Sequence, residues 1–489
     1  MISTWQKHPC LLARDFFPST ALAWGIPATE EAFMTYEEAL TYLFDQADYI
    51  QRTAGETPRP PTADRMGPLM QALGNPQTRF QVVHIAGTKG KGSTSALCES
   101  VLHRLGYRTG LFTSPHLHTF RERIRVDQGL IPAPALADLM GRLRPIFDQF
   151  PDLTVFDRIT ALAFRYFAEQ KVEWAVVEVG LGGRLDSTNV VRPAVCGITS
   201  ISYDHMDVLG QTLTLIAREK AGIIKPGVPV FTCAQDPEAQ VAIQQVAQGQ
   251  NAPLTVTRAK AYPPRNLIGA HQQVNAGIAQ AMMQNLAQRG LIHTDLAALE
   301  AGIADVHWPA RFELLPVPGD LPGTQPAPSQ PVLVDCAHNV DSMNRLLETL
   351  THIYPTRPVT FIMGAGLNKQ VQPMLTALLG HAPRLVLVSS RHPRAMPVDQ
   401  FMALAATILR AQTPTNGTGH GHLTPQVYAA QSMTHALDLA ISLTPADGVV
   451  MGTGSVFVAA ELREVWASRY PQAFDPTDWV FELIHEPAY

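Results

Sequence analysis

Residues 87–94 read GTKGKGST, glycines and lysines ended by two hydroxyls. The stretch departs from the common phosphate loop G-x-x-x-x-G-K-[ST]: Ile85 stands where that pattern has its first glycine, and Gly92 separates Lys91 from Ser93. Two readings are open. As a variant cradle, Gly87, Gly90 and Gly92 let backbone N–H groups approach a phosphate, Lys91 reaches its terminal oxygens, and Ser93 or Thr94 approaches a metal. As a plain turn, the lysines are only solvated. Glu178 ends the run EWAVVEV, just before GLGGRLDSTN, and either binds magnesium beside a phosphate or caps the glycine loop. SYDHMD gathers Asp204, His205 and Asp207. Ser114 follows LFT and offers a hydroxyl, with Pro115 setting the turn. Arg121, Arg123 and Arg125 either bind an anionic substrate or form a solvated face. His420 and His422 in GHGHL lack a third ligand nearby, which favours solvation over metal binding.

These residues need a scaffold, and the flanking patterns supply one. FQVVHIA (80–86) is an apolar strand-length run, and 93–107 carries Leu97, Val101, Leu102 and Leu105 at helical spacing with Gly106 as its stop. Strand, glycine loop and helix N-terminus together aim N–H groups and a helix dipole at one point, which favours the cradle. Further strand candidates are 109–113, 173–179, 195–202 and 227–233. Their continuous apolar runs suit a parallel sheet covered on both faces. After a Pro-rich stretch, 316–331, a second series follows at 331–337, 358–366, 384–390 and 448–455. Residues 34–50 read as a helix, while 55–68 and 412–425 read as loops. The expected fold is α/β with two domains: 34–308, a linker at 309–330, and a smaller Rossmann-like unit at 331–489. Residues 1–33 show no core-like period and read as a loosely held extension, with Met34 as an alternative start.

Composition narrows the function classes. A net charge of −5 with no basic block gives no electrostatic case for nucleic acid. The cysteines Cys10, Cys98, Cys196, Cys233 and Cys336 lack C-x-x-C spacing, which argues against a zinc site or disulfide framework and for a reducing, cytoplasmic setting. Apolar runs fall short of a membrane span, and no secretory leader is visible.

GTKGKGST, TSPHL with FRERI, EVGLGGRLDSTN, SYDHMDVLG, REKAGIIK, GAHQQVNA, HWPARFE, DCAHN and MGTGSVFVAAELR occur in this order. In this the chain resembles the folylpolyglutamate synthase/dihydrofolate synthase family of the Mur ligase superfamily, over about residues 34–465. The resemblance implies a P-loop ATPase domain, a C-terminal Rossmann-like domain and a reaction in the cleft between them. It implies that Gly87, Thr88, Lys89, Gly90, Lys91, Gly92, Ser93 and Thr94 hold the ATP phosphates, with Asn275, Arg311 and Asp335 as further nucleotide contacts. Ser114, Glu178 and His205 match magnesium positions. Thr154, Val155, Phe156 and Asp157, with Leu185, Asp186 and Ser187, match the pterin site. His338 lies near the incoming glutamate, and Lys220 matches a lysine carbamylated in the family. Implied co-reactants are ATP, L-glutamate and dihydropteroate or a reduced folate, with two magnesium ions and potassium as a further candidate, in a monomer. The TVFD and LDS stretches favour acceptance of dihydropteroate as well as folates. Departures from the family pattern are Asp157 for Glu, Cys336 for Gly, GLNKQ (366–370) for D-K-D, and a short span between AGIIK and GAHQ that suggests a missing peripheral β element. A cell-wall Mur ligase and a nucleotide-binding regulator without turnover are the alternative readings.

Overall fold

The computed structural model describes residues 34–52, 65–260, 264–293, 295–317, 327–367, 370–412 and 425–482. The extension 1–33, the His420–His422 pair and positions 368–369 of GLNKQ lie outside the described residues.

Two sheets carry the molecule. The first holds β1 (Gln81–Ala86), β2 (Thr109–Phe112), β3 (Ile124–Val126), β4 (Gly129–Leu130), β5 (Trp174–Glu178), β6 (Val195–Ile198), β7 (Val230–Thr232) and β8 (Leu254–Val256), in the order β4-β3-β2-β5-β1-β6-β7-β8. The six strands from β2 to β8 in that order run parallel, and β3 and β4 extend the β2 edge antiparallel. Burial explains the apolar runs: β2, β5 and β6 are buried at every position. Helices Tyr36–Arg52, Ala133–Phe147 and Val155–Glu169 contribute to one core; Lys91–Arg104, Ala270–Gln288 and Leu296–Ala304 contribute to another.

The second sheet holds β9 (Glu313–Leu314), β10 (Val332–Val334), β11 (Val359–Met363), β12 (Arg384–Leu387), β13 (Gln426–Ala429) and β14 (Val449–Thr453), in the order β13-β12-β11-β14-β10-β9. It is parallel except for β9. Thus β9 lies inside the stretch read as a linker: Leu315 is buried and its N–H bonds Val332, which ties this segment to the second core. The loop reading of 55–68 also gives way at its end, because Met66–Ala72 is a helix that buries Met66, Leu69 and Met70 despite Pro68 in its first turn. Between AGIIK and GAHQ, β8 supplies a short edge strand.

Candidate active site

The carboxyl edges of both sheets converge on one cavity of about 740 Å³. From the first sheet come the loop after β1, Ser114 after β2, Glu178 at the end of β5, and Asp204 and His205 after β6. From the second come Asp335–His338 after β10, Gly366 after β11, Ser390, His392 and Arg394 after β12, and Gly454 and Ser455 after β14. Ligands of open α/β sheets bind at this edge because loops and helix N-termini, not side-chain layers, define it.

The helix after β1 begins at Lys91, with Gly90 as its N-cap at φ 88°. That left-handed conformation costs glycine little. A Cβ there would also lie 2.3 Å from Asn275 Oδ1, so the loop is pressed against the helix Ala270–Gln288. Thr88, Lys89, Gly90, Lys91, Gly92 and Ser93 line the cavity, as do Asn275, Arg311 and Asp335. Gly87 and Thr94 do not: the Gly87 carbonyl accepts from Lys220 Nζ at 2.9 Å, and the Thr94 hydroxyl is buried without a hydrogen-bond partner.

Glu178 is buried and has no cation at ion-pair distance among the described residues. One oxygen accepts from the Ser114 N–H at 3.1 Å. Burial raises its pKa, while Lys91, the Ser114 N–H and Arg311 pull the other way. Asp204 behaves differently. Burial alone would raise its carboxyl, but Lys89 outweighs this and holds it at about 2. Its Oδ2 accepts from Lys89 Nζ at 2.8 Å and from Asn339 Nδ2 at 3.2 Å, so one carboxylate links the two halves of the cavity. His338 Nε2 faces Lys89 Nζ at 3.5 Å, and its Nδ1 bonds the Cys336 carbonyl at 2.9 Å. Lys220 lies buried at the end of the helix Leu213–Ala221; burial first, then Lys91, lowers its pKa to about 7. His205 is half exposed, in a left-handed conformation, with Nε2 3.8 Å from Asp204 Oδ1.

Of the residues matched to the pterin site, Phe156 and Asp186 line the cavity. Thr154, Val155, Asp157, Leu185 and Ser187 do not. The physical reason is local. TVFD is a capping box that starts the helix Val155–Glu169, with Thr154 and Asp157 bonded reciprocally. The Asp157 carboxylate is further occupied by Ser187 Oγ at 2.6 Å and Arg65 Nε at 3.1 Å. Leu185 is largely exposed. Arg121, Arg123 and Arg125 are no solvated face: Arg121 and Arg125 are buried, and Arg123 lines the cavity. Asp207 is exposed. The cavity also draws in His271, Arg345, His392 and Arg394, outside the residues picked from sequence. SSRHPR directly follows an apolar strand, and that position was the available signal for His392 and Arg394.

A parallel ATPase-type sheet and a second Rossmann-like sheet, closing edge to edge on a glycine–lysine loop, define a Mur-type ligase. Residues 85–283 match the Mur ligase middle domain, and residues 323–456 match the Mur ligase glutamate ligase domain. The chain is 36% identical to the dihydrofolate synthase/folylpolyglutamate synthase of Bacillus subtilis over 393 residues, covering 74% of this chain and 87% of that one. Mycobacterium tuberculosis folylpolyglutamate synthase, solved with ADP and AMPPCP, superposes with a TM-score of 0.71 at 29% identity, covering 89% of this chain and all of that one (100%). E. coli FolC in complex with DHPP and ADP gives a TM-score of 0.72 at 25% identity, covering 90% of this chain and 100% of that one. The chain belongs to the folylpolyglutamate synthase/dihydrofolate synthase family: it is an ATP-dependent ligase that joins glutamate to folates. The cell-wall and regulator readings are set aside. Among the described residues no helix is long and apolar enough to cross a membrane.

Proposed function

We propose that this ligase is bifunctional, joining L-glutamate both to dihydropteroate and to the γ-carboxyl of a reduced folate. The carrying observation is the continuity of the cavity. Phe156 and Asp186, Lys91 and Glu178, and His338 and Ser455 all line it. The first pair suits a pterin, the second a phosphoryl group, and the third an amino acid.

A carboxylate and an amine do not condense in water, because hydroxide leaves poorly. Transfer of the ATP γ-phosphoryl to the substrate carboxylate gives an acyl phosphate and ADP. The glutamate amine then attacks the acyl carbon, phosphate leaves, and one proton is lost from nitrogen. In this reading the N–H groups of Gly90–Ser93 and the Lys91 side chain hold the phosphates, since the Thr88 and Thr94 N–H groups are bonded to Ser200 and Gly90, and Asn275, Arg311 and Asp335 hold the nucleotide. His338 Nε2, unprotonated when Nδ1 donates to Cys336, accepts from Lys89 or from the incoming ammonium. Docking of the second domain excludes water that would hydrolyse the acyl phosphate.

The donor set fits magnesium. Glu178 is a buried carboxylate with no cation at ion-pair distance among the described residues, and Ser114, whose N–H it accepts, lines the same cavity with a hydroxyl to offer. Bound there, magnesium would neutralise phosphate charge. His205 is the weaker partner in this proposal, since magnesium prefers oxygen. Lys220 is the candidate for carbamylation: its near-neutral pKa supplies free amine, which takes up carbon dioxide and releases a proton. The resulting anion would offer two oxygens to a second ion. A cytoplasmic location belongs to the same reading; the described cysteines Cys98, Cys196, Cys233 and Cys336 are free and buried.

The test supplies ATP and glutamate with either dihydropteroate or a reduced folate monoglutamate, and follows ADP and ligated product. Product from both acceptors supports the proposal, and product from only one overturns bifunctionality.

A further inference from the structure

His84 is a fully buried histidine in the middle of the first sheet, and nothing in the mechanism above uses it. Its Nε2 lies 2.9 Å from Thr188 Oγ1. The Thr188 hydroxyl also contacts Asp186 Oδ1, which in turn accepts from the Thr188 N–H at 3.0 Å. Asp186 lines the cavity beside Phe156 and Leu181.

Proton counting fixes the direction of this chain. Burial raises the Asp186 carboxyl, but each of its oxygens accepts a backbone N–H, which favours the anion; a carboxylate only accepts, so the single Thr188 hydroxyl proton points at Asp186. Thr188 Oγ1 must then accept from His84, which places the imidazole proton on Nε2. Nδ1 is left with a bare lone pair, and it has no hydrogen-bond partner. Burial, with Lys225 adding, pushes the ring down to about 3, so it stays neutral. An unpaired buried nitrogen is unfavourable, and an apolar side chain in β1 would avoid it. What the histidine supplies instead is one donor aimed at Thr188.

That donor restricts the Thr188 hydroxyl to one rotamer. The hydroxyl and N–H of Thr188 hold Asp186 Oδ1, while the Leu181 N–H holds Oδ2 at 2.9 Å. Both carboxylate oxygens are thus oriented by Thr188 and Leu181, with the Gly180 N–H also contributing, on a side chain that lines the cavity. We propose that His84 is a positioning residue: through Thr188 it sets the carboxylate of Asp186 for the N–H donors of a pterin ring. This rests on the reading that the Phe156–Asp186 part of the cavity takes the pterin.

The experiment measures KM for dihydropteroate, KM for ATP, kcat and melting temperature for His84→Leu, His84→Gln, Thr188→Val and Asp186→Ala. Asp186→Ala is expected to raise KM for dihydropteroate at least tenfold. His84→Leu and Thr188→Val are expected to raise it about fivefold, the scale of one buried hydrogen bond, with KM for ATP unchanged. His84→Gln is expected to return KM to within about twofold of the parent, because its amide donor reaches about as far as Nε2. If Asp186→Ala leaves KM for dihydropteroate unchanged, the pterin placement itself is wrong. If Asp186→Ala raises it but Thr188→Val does not, the inference fails while the placement stands. A rise in both KM values, or a His84→Gln no better than His84→Leu, reduces His84 to a packing residue and overturns the proposal. Should His84→Leu not fold, Thr188→Val and His84→Gln decide the matter.

Discussion

A lysine held near neutrality by burial weakens a fold whenever it is charged. Lys220 has a folded pKa of about 7 against 10.5 for a free lysine. The unfolded chain therefore binds the extra proton between these values. The cost is full below pH 7, fades as pH rises toward 10.5 and is absent above it. In buffer stripped of carbon dioxide, Lys220→Met is expected to melt higher than the parent at pH 6, by a difference on the order of a few kcal/mol, and to lose that advantage by pH 11. An equal difference at both pH values would show that Lys220 is not desolvated in the apo enzyme. Lys91→Ala makes a separate residue-scale prediction: ligation falls by at least 100-fold while melting temperature is retained, because the side chain faces the cavity rather than a core. Lys91 and Lys220 were legible from motif and charge. The two donors to Asp204 Oδ2 were not, because Lys89 and Asn339 lie 115 and 135 residues away and neither spacing carries a period.

Among the elements, GLGGR and the helix Leu213–Ala221 meet backbone to backbone. A Cβ on Gly183 would lie 2.8 Å from the Lys220 carbonyl and 2.9 Å from that of Glu219. Gly183→Ala must therefore push away the helix end that carries Lys220. The expected result is a loss of about 1–3 kcal/mol in stability, typical of overpacking, with turnover falling more steeply than stability explains. Parent-like turnover in a destabilised Gly183→Ala would separate Lys220 from the reaction. The strands feeding the site were readable because each is a continuous apolar run. β3, β4 and β9 span only three, two and two residues, too short to show a period, and they lie toward sheet edges. β13 is half exposed and carries too little apolar signal.

At the level of the whole molecule, a buried polar clasp joins the domains behind the cavity. His118, on the loop that begins at Ser114, accepts from Arg463 Nη1 at 2.8 Å and bonds Glu464 Oε1 at 3.2 Å. Arg463 also pairs with Glu313 and Asp478, both at 2.9 Å. His118→Leu leaves a buried guanidinium N–H unpaired, at about 1–3 kcal/mol, and loosens the tie between the Ser114 loop and the second sheet. The expected outcome is a lower melting temperature, a larger radius of gyration by X-ray scattering, and a higher KM for ATP. If all three match the parent, the clasp does not set domain docking. The order of the motifs announced two domains, but no one-dimensional pattern reports which side chains meet across them.

The contact between Gly90 and Asn275 reaches beyond this one chain. Asn275 is buried and its amide nitrogen is committed to Gln272 Oε1 at 2.9 Å, so it has little room to step aside for a Cβ only 2.3 Å away. Neither position can drift alone over evolutionary time. Where a relative carries any side chain at the position of Gly90, the partner position should have shrunk with it, and a sequence alignment should show the two substitutions arriving together.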